Sequence, residues 1–70
     1  MEDIYISYKK LWHILLDRNL YKKDLIKLAG ISEYAVKRLS KDENVSTEVL
    51  GKVSNALGCT IDDIVEFTDE

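Results

Sequence analysis

The chain has 70 residues, 46% of them hydrophobic, with no Pro, three Gly and a single Cys. This is the size of one domain, it excludes an internal disulfide, and its longest aliphatic run, Ile14-Leu15-Leu16, falls far short of the roughly 20 residues that span a bilayer. The net charge of −3 speaks against a polyanionic partner, but residues 1–41 carry a balance of +4 and residues 42–70 a balance of −7. Segregation of charge matters more than its sum for steering a polyanion. The acidic opening Met1-Glu2-Asp3 is no secretory signal, and the lone thiol fits a reducing compartment, so the expected location is cytoplasmic.

In chain order, Ile4-Tyr5-Ile6 is short and β-prone, either an extended arm or a strand for pairing with a second chain. Ser7 is placed as the cap of a first helix, with Ile6 and Leu11 forming a hydrophobic staple around it. Tyr8, Leu11, Trp12, Leu15 and Leu16 recur at i, i+3, i+4, i+7 and i+8 and form its buried stripe. Asn19 ends that helix. A second runs from about Lys22 to Leu28, with apolar Leu25, Ile26 and Leu28. Tyr21 stands where a capping Ser, Thr or Asp belongs. The first amides of this helix are therefore open to water or to a phosphate oxygen beside Lys22 and Lys23.

Gly30 breaks the pattern where the backbone would turn left-handed, a conformation that costs a Cβ-bearing residue about 1–2 kcal/mol. Ser32 then caps a third helix over Glu33 to Ser40, with Ala35, Val36 and Leu39 inward and Glu33, Tyr34, Lys37 and Arg38 outward. Two helices meeting at a Gly-containing turn make a helix-turn-helix over residues 22–41. After the polar loop Lys41-Asp42-Glu43-Asn44, Ser46 caps a fourth helix with Val49, Leu50, Val53, Ala56 and Leu57 on its buried side. Gly58 stops it. Thr60 with Asp63 opens a fifth helix that closes the core through Ile61, Ile64, Val65 and Phe67, and Thr68-Asp69-Glu70 frays. The expected fold is all-α, a compact bundle of five short helices in one domain over 1–70, with its core in 8–66.

These residues resemble the lambda-repressor-like, Cro-type helix-turn-helix family, also called Xre-like. The resemblance runs over about residues 8–66 and rests on Asp24-Leu25, Gly30-Ile31-Ser32, Val36 and Leu39, Val45-Ser46, Ala56-Leu57-Gly58-Cys59 and Asp63-Ile64. It implies a five-helix DNA-binding domain of prokaryotic or phage origin whose second motif helix enters the major groove while the first crosses the backbone. On that resemblance Ser32, Glu33, Tyr34, Lys37 and Arg38 face the groove. Lys22 meets phosphate at the start of the second helix, and Asn44 and Ser46 lie in the loop that meets the backbone. Three positions depart from the family pattern: Ile26 for Ala, Tyr21 for the Thr cap, and Glu33, whose carboxylate repels phosphate unless it accepts from a cytosine amino group.

Among the outward charges, Arg38 and Lys37 are the base or phosphate candidates, Tyr34 fits a thymine methyl, and Lys22, Lys23 and Lys41 fit phosphates. His13 has no ligand partner at suitable spacing, Cys59 reads as a small hydrophobe, and the acidic residues from Asp62 to Glu70 lack calcium-loop spacing. No nucleophile–base pair or phosphate-cradling loop is present in the sequence. The expected protein is a non-enzyme without cofactor, metal or small-molecule ligand. It is expected to be a sequence-specific transcriptional regulator on double-stranded DNA, as a homodimer on a two-fold site. The alternative is a protein-interaction module, an adaptor or antitoxin-like partner, motivated by Glu33 and the acidic second half.

Overall fold

The polar N-caps and left-handed stops written into the sequence mark out most of the helices. The structure, a computed structural model, describes residues 4–69. The acidic opening Met1-Glu2-Asp3 and the final Glu70 lie outside the described residues. In order the chain forms β1 (Ile4–Ser7), α1 (Lys9–Asp17), α2 (Lys22–Ala29), α3 (Glu33–Ser40), α4 (Thr47–Leu57), a single 3-10 turn (Ile61–Asp63) and β2 (Glu66–Asp69).

Local chemistry explains the ends. Gly30 and Gly58 are left-handed, at φ 69° and 68°, just past α2 and α4. The Ser32 hydroxyl accepts from the Ala35 amide at 3.1 Å and the Ser46 hydroxyl from Val49 at 3.2 Å, so each satisfies one of the orphan donors of its helix. Asn19 is also left-handed, at φ 56°, where α1 has stopped and Leu20 turns back to the core. The cap of α1 is Tyr8, not Ser7. The Ser7 hydroxyl still accepts from the Lys9 amide at 3.3 Å, but the Tyr8 amide is drawn 34 positions along the chain to the Asp42 carboxylate, which shifts the cap by one residue.

Tyr8, Leu11, Leu15, Leu25, Ile31, Val36, Leu39, Leu50, Val53, Leu57 and Ile64 form one buried cluster. Each fully buried aliphatic in it contributes roughly 1.5–3 kcal/mol relative to exposure. Four apolar residues expected inside are outside, Ile61 among them at 40% exposure. Leu16 is 73% exposed, Leu28 52% and Phe67 68%. For Leu16 the reason is geometric. The stripe of α1 is narrower than the i+8 position requires, and Leu11 and Leu15 already fill the side facing the core.

The fifth helix does not form, so the fold is four α-helices with a small two-stranded sheet in place of an all-α five-helix bundle. Thr60 donates its amide and hydroxyl to the Asp63 carboxylate at 3.0 and 3.1 Å, as the capping pattern implies. The turn it starts ends after three residues. Beyond it Val65-Glu66-Phe67-Thr68 is β-prone, and an antiparallel partner is available in the chain's own beginning. The pairs are Ile4 with Asp69, Tyr5 with Thr68, Ile6 with Phe67 and Ser7 with Glu66. The N-terminal segment is therefore not a free arm but a strand paired within the chain along one edge, and Thr68 and Asp69 are strand, not frayed tail. Lys10 reinforces this closure by donating to the Asp62 carbonyl at 2.8 Å.

Candidate nucleic-acid interface

Gly30 sets the entry of α3. Its left-handed backbone ends α2, buried Ile31 pins the turn and Ser32 starts the next helix. Ala35, Val36 and Leu39 hold the inner side of α3 in the core, which leaves Glu33, Tyr34 and Lys37 exposed on the outer side. Ser32, Tyr34, Arg38, Asn44 and Ser46 line one open groove between α3 and the start of α4. Five of the residues picked out from the sequence thus share one surface. Lys41 caps the C-terminal end of α3, where a cation suits the helix dipole.

Lys22 and Lys23 stand elsewhere, at the start of α2. The Lys22 ammonium lies 4.5 Å from the centre of the Trp12 ring and that of Lys23 lies 5.8 Å from the Tyr21 ring. Trp12 thus joins α1 to the head of α2 by a cation–π contact. The Tyr21 side chain makes no cap bond, as the sequence implies. Its backbone amide is instead taken by the Asp24 carboxylate at 2.8 Å.

Arg38 is the most engaged residue of the group. Its Nε donates to the Asn44 carbonyl at 2.8 Å, its Nη1 donates to the Tyr34 hydroxyl at 3.1 Å, and Nη1 lies 3.7 Å from the Glu43 carboxylate. The bond to Tyr34, with support from the charge of Glu43, holds the guanidinium protonated even more firmly than usual. From the other side, the fully buried Tyr8 donates its hydroxyl to the Glu43 carbonyl at 2.7 Å. Burial, followed by the charge of Asp42, pushes the Tyr8 phenol above its ordinary pKa, so it stays a donor. Asp42, at φ 56°, carries the bend of this loop. Sequence reasoning missed Tyr8, Asp42 and Glu43 as parts of this framework. An Asp in a polar loop after a helix is a sequence signal for the left-handed bend. The Tyr8 bonds, which bridge 34 and 35 positions, have no such signal.

The model of the Cro/C1-type helix-turn-helix DNA-binding domain matches residues 10–70. The chain belongs to that family. As a Cro/C1-type domain it is a non-enzymatic DNA-binding module. Its fold is similar to a crystal structure of the transcriptional regulator VanUg, with a TM-score of 0.89 and 39% identity, covering 96% of this chain and 89% of that one. No curated protein matches the sequence. No helix among the described residues of this Cro/C1-type domain is long and apolar enough to cross a membrane.

Proposed function

We propose that the chain is a sequence-specific transcriptional regulator that lays α3 in the major groove of double-stranded DNA, in the cytoplasm of a prokaryotic cell. The observation that carries this reading is the outer side of α3 and the groove beside it, where Ser32, Glu33, Tyr34, Lys37, Asn44 and Ser46 are all exposed around a helix whose inner side is fixed in the core. An eight-residue helix is about 12 Å long, comparable to the width of the major groove. Lys37 is free to reach a guanine edge or a phosphate. Glu33 accepts from a cytosine amino group, and the Tyr34 ring packs on a thymine methyl. Lys22, Lys23 and Lys41 with Asn44 and Ser46 meet phosphates on either side, and the surplus positive charge of residues 1–41 orients the encounter. The similarity to VanUg, itself a transcriptional regulator, supports the regulatory role. Two copies on a two-fold site would place their α3 helices about one DNA turn, ~34 Å, apart.

The test is fluorescence anisotropy of a labelled mixed-sequence duplex across a salt series, followed by selection of the preferred site from a random library. The log–log slope is expected to be about −0.9 for each phosphate neutralised. Replacing Lys37 and Arg38 together by Glu is expected to remove binding while circular dichroism still shows the helices. Unchanged affinity in that folded variant sinks the groove reading and favours a protein-interaction module. Sedimentation of the complex on a selected site reads the copy number, and one copy per site overturns the dimer.

A further inference from the structure

Lys37 and Arg38 are neighbours on α3, yet only one of them is free. Lys37 is exposed and has no bonded partner among the described residues, whereas the Arg38 guanidinium is held by bonds within the chain. A guanidinium has five N–H donors in a rigid fork. Here Nε holds the Asn44 carbonyl, Nη1 holds the Tyr34 hydroxyl, and Glu43 flanks the same nitrogen. Tyr34 lies one turn before Arg38 on α3, so the two side chains meet on the helix surface and the ring braces the fork, 5.7 Å from its carbon. Arg38 also stands between two grooves. One lies along α3 and the start of α4, and the other lies between Asp42–Asn44 and the strand residues Tyr5, Ile6 and Phe67. A side-on pairing with a guanine through Nε would have to release the Asn44 carbonyl and with it the loop.

We infer that Arg38 is a positioning residue and not a reader of bases: it fixes the α3–α4 loop against the recognition helix so that Asn44 and Ser46 are presented to the DNA backbone. The role rests on the DNA-binding reading above and deepens it. Three consecutive loop residues are gripped from two directions, Asp42 and Glu43 by Tyr8 and Asn44 by Arg38. Tyr8 is fully buried, so its grip is the fixed side of the clamp. Arg38, half-buried, is the outer side, the one that ties the loop to α3. Lys cannot replace it, because a single ammonium does not offer a planar fork to the carbonyl and the hydroxyl together.

The experiment compares Arg38→Lys, Tyr34→Phe and Lys37→Ala by DNA binding across a salt series and by amide hydrogen exchange of Glu43 to Ser46 without DNA. A positioning role predicts that Arg38→Lys weakens binding about tenfold on every duplex with parallel salt lines, since no phosphate contact is removed. Loop exchange should speed up in Arg38→Lys and, to a lesser degree, in Tyr34→Phe. Lys37→Ala should leave the loop unchanged and flatten the salt slope by about 0.9 if its partner is phosphate, or lose discrimination at one base pair if its partner is guanine. Wild-type loop exchange in Arg38→Lys overturns the role. So does a loss in that variant confined to one base pair, which marks a base reader. A wild-type chain that binds no duplex at low salt overturns the DNA-binding reading itself, and this role with it, whereas the variant-specific outcomes overturn the role of Arg38 alone.

Discussion

Two connections flank α3, and they are held by different means. The turn before it depends on its own residues, with Gly30 bending the backbone, Ile31 buried beneath and Ser32 closing the next helix. The loop after it also depends on a residue far along the chain: Tyr8, at the end of β1, holds Asp42 and Glu43, while Arg38, six positions away, holds Asn44. The conformation of the first is set by neighbouring residues, with the common core needed only to bury Ile31. The second is complete only when Tyr8 has docked, because the two Tyr8 bonds close 34 and 35 positions of chain. The helix α3 is therefore seated by near neighbours at its beginning and partly by distant ones at its end.

The largest effect on this contrast is expected from Tyr8→Ala, which removes both the core aromatic and the grip on Glu43. Large aromatic truncations in a core cost about 3–5 kcal/mol, to be read by urea denaturation. Tyr8→Phe keeps the ring and should cost about 1–2 kcal/mol, the price of a carbonyl left without its donor. Its hydrogen-exchange signature should fall on Asp42 to Asn44 and spare Gly30 to Ser32. Exchange rising equally in both segments would mean that the two connections are not independent. Gly30→Ala is the converse. Nothing lies within 4 Å of the added methyl, so its cost is backbone strain alone, about 1–2 kcal/mol, with the loop beyond α3 unaffected. Ser32→Ala should cost about 1 kcal/mol in the same denaturation measurement.

The smallest effect is one of pH, and it bears on the far end of the chain. Hydrogen bonds from the Thr60 amide, then from its hydroxyl, hold the Asp63 carboxyl below its ordinary pKa of 3.8 in the folded chain. The folded value is the lower one, so the contribution is complete above the ordinary carboxylate range and fades as pH falls through the depressed value. Melting temperatures of the wild type and Asp63→Asn should therefore converge as the solution is made acid. A constant gap down to the lowest pH would remove the carboxylate from the account.

Elements governed by near neighbours were legible in the sequence. Glu33–Ser40 was placed to the residue, and Gly30, Gly58, Ser32 and Ser46 act as their types imply, because a cap or a left-handed stop is decided within four residues. What the sequence hid depends on partners distant in the chain. Thr60 and Asp63 signalled a helix start correctly, but the signal says nothing of how far the helix runs, and pairing with Ile4–Ser7 drew the chain into a strand after one turn. Leu16 carried the right spacing on a helix too narrowly covered to bury it. In the candidate interface, the exposed side of α3 could be read from periodicity. The engagement of Arg38 was legible only in its i−4 spacing to Tyr34, since its bond to the Asn44 carbonyl turns on where the folded loop comes to lie.

The ribbon of β1 and β2 joins residues 4–7 to residues 66–69. On a ribosome, which releases the chain from its N-terminal end, β1 is made before all four helices and its partner after them. The four helices, whose caps and stops are local, are all synthesised before that strand exists. A nascent chain halted after Leu57 would hold both helices of the DNA-binding motif but none of the ribbon, and Ile4, Tyr5 and Ile6 would be an unpaired β-prone edge for as long as the halt lasted.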